Sequence, residues 1–272
     1  MTTMTKFGTM MLRGALAFLM VAGTCLAQAS SSSGGINLND MLARTGTQVT
    51  GFLDQFSDVK CTEEVEQIKL GTEGKVELKQ ESTYDYLVIL TNSGGELMLD
   101  ESRLAVREAK RDKKNTPLLV SNGFATLFLV FHPYYAASFQ FALAGDALSD
   151  GQPLTKVSFQ HIPGTRSPAA LALRGREYPL ELSGVAWINP KTGVITRIEA
   201  GIESSLEDVG LKSLHSEVEF GPAPFRDMKE PYWFPTVATV EVETPRQHWR
   251  NTHRFTDYKR FSVSTEEQVA SK

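Results

Sequence analysis

The sequence predicts an α+β protein built on one large, curled antiparallel sheet, an unclosed β-barrel whose concave face is covered by helices. Three observations predict it. A helix-period apolar stripe comes early, strand-period segments broken by turn residues fill most of the remaining chain, and no helical crossovers separate the late strands. Strands joined this way pair antiparallel and exclude parallel βαβ units. About ten twisted strands curl, and the hollow they make must be covered or filled.

Ahead of the first element stands a leader. Lys6 and Arg13 precede an apolar run over residues 14–23, and Ala27-Gln28-Ala29 closes it with small residues. These are the parts of a secretory signal peptide, and the run is shorter than the roughly 20 residues that span a bilayer. Residues 1–29 are therefore expected to be cleaved after Ala29, leaving a periplasmic or secreted chain that does not span the membrane. The Ser- and Gly-rich residues 30–36 read as a flexible spacer, 37–265 as a single β-rich domain, and 266–272 as a disordered tail. The leader removes two of the 28 basic residues and none of the 32 acidic ones, so the mature net charge is −6. That balance gives no global attraction to nucleic acid or to an anionic surface. Cys25 leaves with the leader, so Cys61 is the single mature cysteine and no internal disulfide can brace the fold.

Leu38, Met41, Leu42, Thr45, Val49, Phe52, Leu53 and Phe56 fall on one helical face. Asn37 or Asn39 can cap that helix, and Gly46 weakens its middle by roughly 1 kcal/mol and invites a bend. From Val59 the period becomes two, with Val59, Cys61 and Glu63 on one side. Strands are expected at 65–70, 76–78, 84–90 and 96–99. The charged stretch 101–114 reads as a loop or exposed edge. Residues 124–131 are apolar all round and read as a second helix if Asn122 caps it and Pro133 stops it, with a buried strand as the alternative. Further strands are expected at 138–144, 156–161, 171–174, 180–188, 194–202, 213–220, 236–243, 249–255 and 258–263.

One hairpin carries a family resemblance. Gly184-Val185-Ala186-Trp187-Ile188 and Val194-Ile195-Thr196-Arg197-Ile198 flank the turn Asn189-Pro190-Lys191-Thr192-Gly193. With the amphipathic helix after a signal peptide and the order helix, strands, helix, meander, it resembles the periplasmic lipoprotein-carrier (LolA/LolB-like) superfamily. That resemblance implies an unclosed barrel lidded by helices around an apolar cavity for acyl chains, with no catalytic constellation and no cofactor. The expected function is non-enzymatic binding of a lipid or lipoprotein acyl chain. Phe124, Leu127, Phe128 and Phe131 would stand on the lid or wall, and Trp187 and Trp233 complete the expected ligand-binding set. The alternative is an envelope interaction module with a self-filled core. It would meet a protein or polymer partner through a basic-aromatic face carrying Arg246, Arg250 and Arg254.

Other chemistries find little footing. His248 and His253 have an odd separation that puts them on opposite strand faces; without acidic or thiol ligands beside them they read as exposed strand histidines, and no metal site is expected. No Gly-x-Ser-x-Gly elbow and no glycine-rich phosphate loop occurs. Cys61 reads as a small buried hydrophobe, and the neighbours Glu63 and Glu64 point to opposite faces. His132-Pro133-Tyr134-Tyr135 and Tyr232-Trp233-Phe234-Pro235 read as aromatic groups for a cavity mouth, with His132 serving a helix end.

Overall fold

The computed structural model describes residues 36–56, 59–93, 96–107, 127–173, 176–225 and 232–260. The leader, the spacer as far as residue 35, Phe124 and the tail lie outside them. The described chain begins with helix α1 (Leu38–Phe56), followed by the strands β1 (Val59–Leu70), β2 (Val76–Ser93) and β3 (Glu96–Arg107). A short helix α2 (Pro133–Ala136) leads into β4 (Phe139–Ser149), β5 (Gln152–His161), β6 (Ala170–Leu173), β7 (Arg176–Pro179), β8 (Leu182–Ile188), β9 (Ile195–Ile202), β10 (Ser213–Ala223), β11 (Tyr232–Glu243) and β12 (His248–Arg260). Ten strands form one antiparallel sheet in the order β3-β2-β1-β12-β11-β10-β9-β8-β5-β4, which leaves β3 and β4 as its edges and the barrel unclosed. The sheet returns to β12 beside β1, so the chain's ends meet in its middle. β6 and β7 form a separate two-stranded hairpin between β5 and β8.

Helix α1 follows its stripe. Met41, Thr45, Val49, Phe52, Leu53 and Phe56 are buried, while Leu38 and Leu42 are half-buried. Asn37 is the cap, its Oδ1 accepting from the amides of Asn39 at 3.0 Å and Asp40 at 3.4 Å. Gly46 lies inside one continuous helix and is buried, because the helix there abuts the Phe131 carbonyl and the Pro133 ring. A Cβ at residue 46 would lie 3.4 Å from each. The glycine serves a close approach of two segments.

The helix lies on the hollow of the sheet through aromatic contacts. Phe52 meets Phe220 of β10 and Phe234 of β11 edge-on, at ring distances of 6.4 and 5.7 Å. Phe56 meets Phe234 at 5.0 Å and Tyr258 of β12 at 6.2 Å. Such pairs contribute about 0.5–1.5 kcal/mol each beyond their area, and they fill this part of the hollow with the protein's own side chains.

Several boundaries differ from the sequence reading. The two segments 76–78 and 84–90 are one strand, β2. Its polar stretch stays extended because it pairs residue by residue with β1, and Lys79 reaches Glu66 of β1 at 2.6 Å. The expected strands 249–255 and 258–263 are likewise one, β12, with the irregularity taken up locally. Asp257 has φ 54°, opposite the register shift between Lys60 and Thr62, which is a β-bulge. Of the stretch 101–114, residues 101–107 are the exposed edge, in strand β3, and the rest lies outside the described residues. Within residues 124–131, the described part is a helical turn at 127–129 closed by turn hydrogen bonds to His132. Pro133 does not simply stop it. Proline occupies the first turn of α2, where its missing N–H costs nothing, and His132 Nδ1 accepts from the Tyr134 amide at 3.1 Å.

Candidate functional site

The resemblance-bearing hairpin is a seat for α1. Asn189 Oδ1 accepts from the amides of Lys191 at 3.0 Å and Thr192 at 3.1 Å, and the Gly193 amide returns to the Asn189 carbonyl at 2.8 Å. Gly193 has φ 77°, and a Cβ there would lie 2.8 Å from the backbone of Arg44 and Thr45. Only glycine satisfies both demands. Arg44 completes the contact by donating to the Pro190 carbonyl at 2.9 Å.

Just beyond that seat the sheet wall parts. β9 and β10 pair from Gly201/His215 to Arg197/Glu219 and no further, while β10 continues with β11 to Ala223/Tyr232. Between the diverging hairpin ends and α1 lies an open cleft of about 920 Å³. Phe52, Phe128 and Phe220 form its apolar floor; Leu154, Ile195 and Pro222 extend it, and Trp187, Tyr232 and Trp233 stand around it. Phe52 stacks on Phe128 at 4.3 Å and Phe128 meets Phe220 at 4.4 Å. Along α1 the residues Gln48, Gly51, Phe52 and Gln55 face the cleft, a helical row adjoining the buried stripe. The volume falls in the range typical of small-molecule sites.

The sequence-derived set divides accordingly. Phe128, Trp187 and Trp233 line the cleft. Leu127 and Phe131 are buried within the core, Phe131 against Phe141 and Phe159, and Phe124 lies outside the described residues. Trp187 is half-buried, with Arg197 at 4.8 Å and Lys156 at 5.5 Å over its ring. Trp233 is 39 % exposed. Of the expected mouth aromatics, Tyr232 and Trp233 line the cleft, whereas Phe234 and Tyr135 are buried. The Tyr135 hydroxyl donates to the Leu97 carbonyl of β3 at 3.2 Å. Arg246, Arg250 and Arg254 are exposed, and Arg250 is paired with Glu241 at 2.9 Å.

A second constellation escaped sequence reasoning. Glu63 is fully buried and takes two hydrogen bonds from Arg103, at 2.7 and 2.9 Å, and one from His253 Nδ1 at 2.8 Å. Arg103 also donates to Glu101 at 2.7 Å and lies 4.8 Å over the Tyr86 ring. Strand alternation in β12 puts His253 on the core face, where it is 3 % exposed, so it is not a surface histidine. His248 is half-buried on Glu241 at 2.6 Å. Burial works to raise the Glu63 carboxyl, but the bonds from His253 and Arg103 outweigh it and hold the group below its ordinary value. Burial lifts Glu101 to about 7 despite Arg103. Burial also pushes the Cys61 thiol far up, so it stays protonated and unreactive. These carboxylates are held by an ion-pair network, not aimed at an open site. One signal was available in the sequence: Glu63 occupies a core position of the Val59-Cys61-Glu63-Val65 alternation, where an acid needs a partner.

No protein-family model matches the sequence, and no curated protein matches it. Several solved structures are similar to it. A domain named for outer membrane lipoprotein sorting, from Vibrio parahaemolyticus, has a TM-score of 0.41 and 15 % identity over 85 % of this chain and 96 % of its own. A DUF1329 family protein from Desulfovibrio piger has 0.38 and 13 % over 85 % and 92 %. A LolA superfamily protein from Nitrosomonas europaea has 0.36 and 11 % over 85 % and 96 %. The described chain runs from α1 through three strands and the short α2 into the strands β4–β12, with α1 packed on the curled, unclosed sheet. Among the described residues no helix is long and apolar enough to cross a membrane.

Proposed function

We propose that this chain is a non-enzymatic, extracytoplasmic binding protein that receives an acyl chain of a lipid or of an acylated protein. The cleft between α1 and the parted strands carries the reading, because it leads from outside the sheet to the aromatic floor of Phe52, Phe128 and Phe220. Phe128 is the floor of the site, with Trp187 and Trp233 beside the entering chain, and Leu127 and Phe131 hold the wall from behind. The energetics are adequate without polar chemistry. Burying about twelve methylenes at about 0.8 kcal/mol each gains about 10 kcal/mol. An association cost of at least about 4 kcal/mol leaves at most about 6 kcal/mol, or a Kd no tighter than about 40 µM. The element order shared with the carrier superfamily agrees with this use of the hollow.

Gly51 supplies the test. It faces the cleft from α1, and an added Cβ meets nothing within 4 Å, so Gly51→Trp plugs the cleft without disturbing the core. Uptake of a fluorescent monoacylglycerol by the wild-type chain and its loss in Gly51→Trp, with the unfolding transition retained, is the expected result. Equal uptake by both proteins, or none by the wild type, overturns the reading.

A further inference from the structure

Resting on that reading, we infer that the cleft selects an acyl ligand with an uncharged, polyhydroxyl headgroup and discriminates against an anionic one. The charges around the cleft argue it. Its lining carries two carboxylates, Asp150 and Glu219, and one cation, Arg197. That cation is already taken: Arg197 pairs with Glu199 and with Glu217 at 2.8 Å and lies over Trp187. Lys156, the other nearby cation, sits over the same ring at 5.5 Å and outside the lining. Among the described residues, a phosphate or carboxylate headgroup would meet two acids and no free cation in the lining, and a desolvated anion without a partner is costly.

The uncommitted polar groups point the same way. Thr196 and Thr236 spend their hydroxyls on the carbonyls of Trp187 and Glu219, each at 3.2 Å. The amides of Gln48, Gln55 and Gln152 have no hydrogen-bond partner among the described residues, and Asp150 and Glu219 pair with no cation there. Amides donate and accept, and carboxylates accept, which matches hydroxyl groups that do both. Trp233 adds an exposed ring on which a sugar face can lie. A cationic headgroup would use the acids but leave the amides unanswered.

The experiment compares three probes of one chain length, each below its critical micelle concentration: dodecyl maltoside, dodecyl phosphate and dodecyltrimethylammonium. Calorimetric titration of the full chain should show the maltoside binding at least ten-fold tighter than the phosphate and tighter than the ammonium. The gap to the phosphate should narrow with added salt. Glu219→Lys, on an exposed strand position, should abolish the preference of the maltoside over the phosphate by tightening phosphate binding at least ten-fold. Equal binding of all three, or tightest binding of the ammonium or phosphate, overturns the headgroup inference and leaves the acyl reading standing. Binding of none overturns the acyl reading itself.

Discussion

Replacing Glu101 with Gln should stabilise the protein at pH 8 and leave it unchanged at pH 4. The Glu101 side chain is 3 % exposed and shares Arg103 with Glu63. Two carboxylates on one buried guanidinium leave an excess negative charge unless a proton is kept nearby. Burial, reinforced by the Glu63 charge and opposed by Arg103, lifts Glu101 to about 7 from an ordinary value of 4.5. Below pH 4.5 the group is protonated folded and unfolded alike. Between 4.5 and 7 the native protein keeps a proton that the unfolded chain has lost, so this group's contribution falls as pH rises. A shift of about 2.5 units at about 1.4 kcal/mol per unit makes the loss about 3 kcal/mol, complete above pH 7. Gln keeps the shape and an oxygen for Arg103 but carries no proton. Urea unfolding of both proteins, followed by tryptophan fluorescence at pH 4, 5.5, 7 and 8, measures the gap. Taking the difference cancels His253 and the other groups common to both. A gap that stays constant with pH, or a variant less stable at pH 8, refutes the reasoning.

Arg103→Met leaves two buried carboxylates without their guanidinium and should cost about 3–5 kcal/mol at pH 7, read by the same unfolding assay. The cost should shrink at pH 5, where protonation relieves the pair. Gly193→Ala places a Cβ 2.8 Å from α1 backbone at φ 77°; a loss of about 2 kcal/mol should appear in thermal unfolding by circular dichroism, with faster amide exchange in α1. Phe52→Ala removes the ring shared by α1, the 127–129 turn and the sheet. Its expected cost is about 3–5 kcal/mol, and urea titration checks it.

The sequence by itself determined what depends on local periodicity. The face of α1 is legible because its apolar residues recur at the helical period, and the 184–198 hairpin because Asn-Pro-Lys-Thr-Gly satisfies its own turn. The split of β12 into an outer row with Arg250 and Arg254 and an inner row with Trp249 and His253 follows from strand alternation alone. From these came the curled sheet and its covering helix. Only the tertiary structure decided which residues meet across long separations. Glu63 finds Arg103 forty residues away and His253 one hundred and ninety away, through strand pairings that no local pattern specifies. The edge strand that delivers Arg103 shows little alternation of its own, so its charged residues looked solvated. The cleft was illegible for a related reason: it exists because β9 stops pairing with β10 at Arg197 and Glu219 while β10 runs on with β11. A gap between strand ends is a property of register, and register is set by the whole sheet.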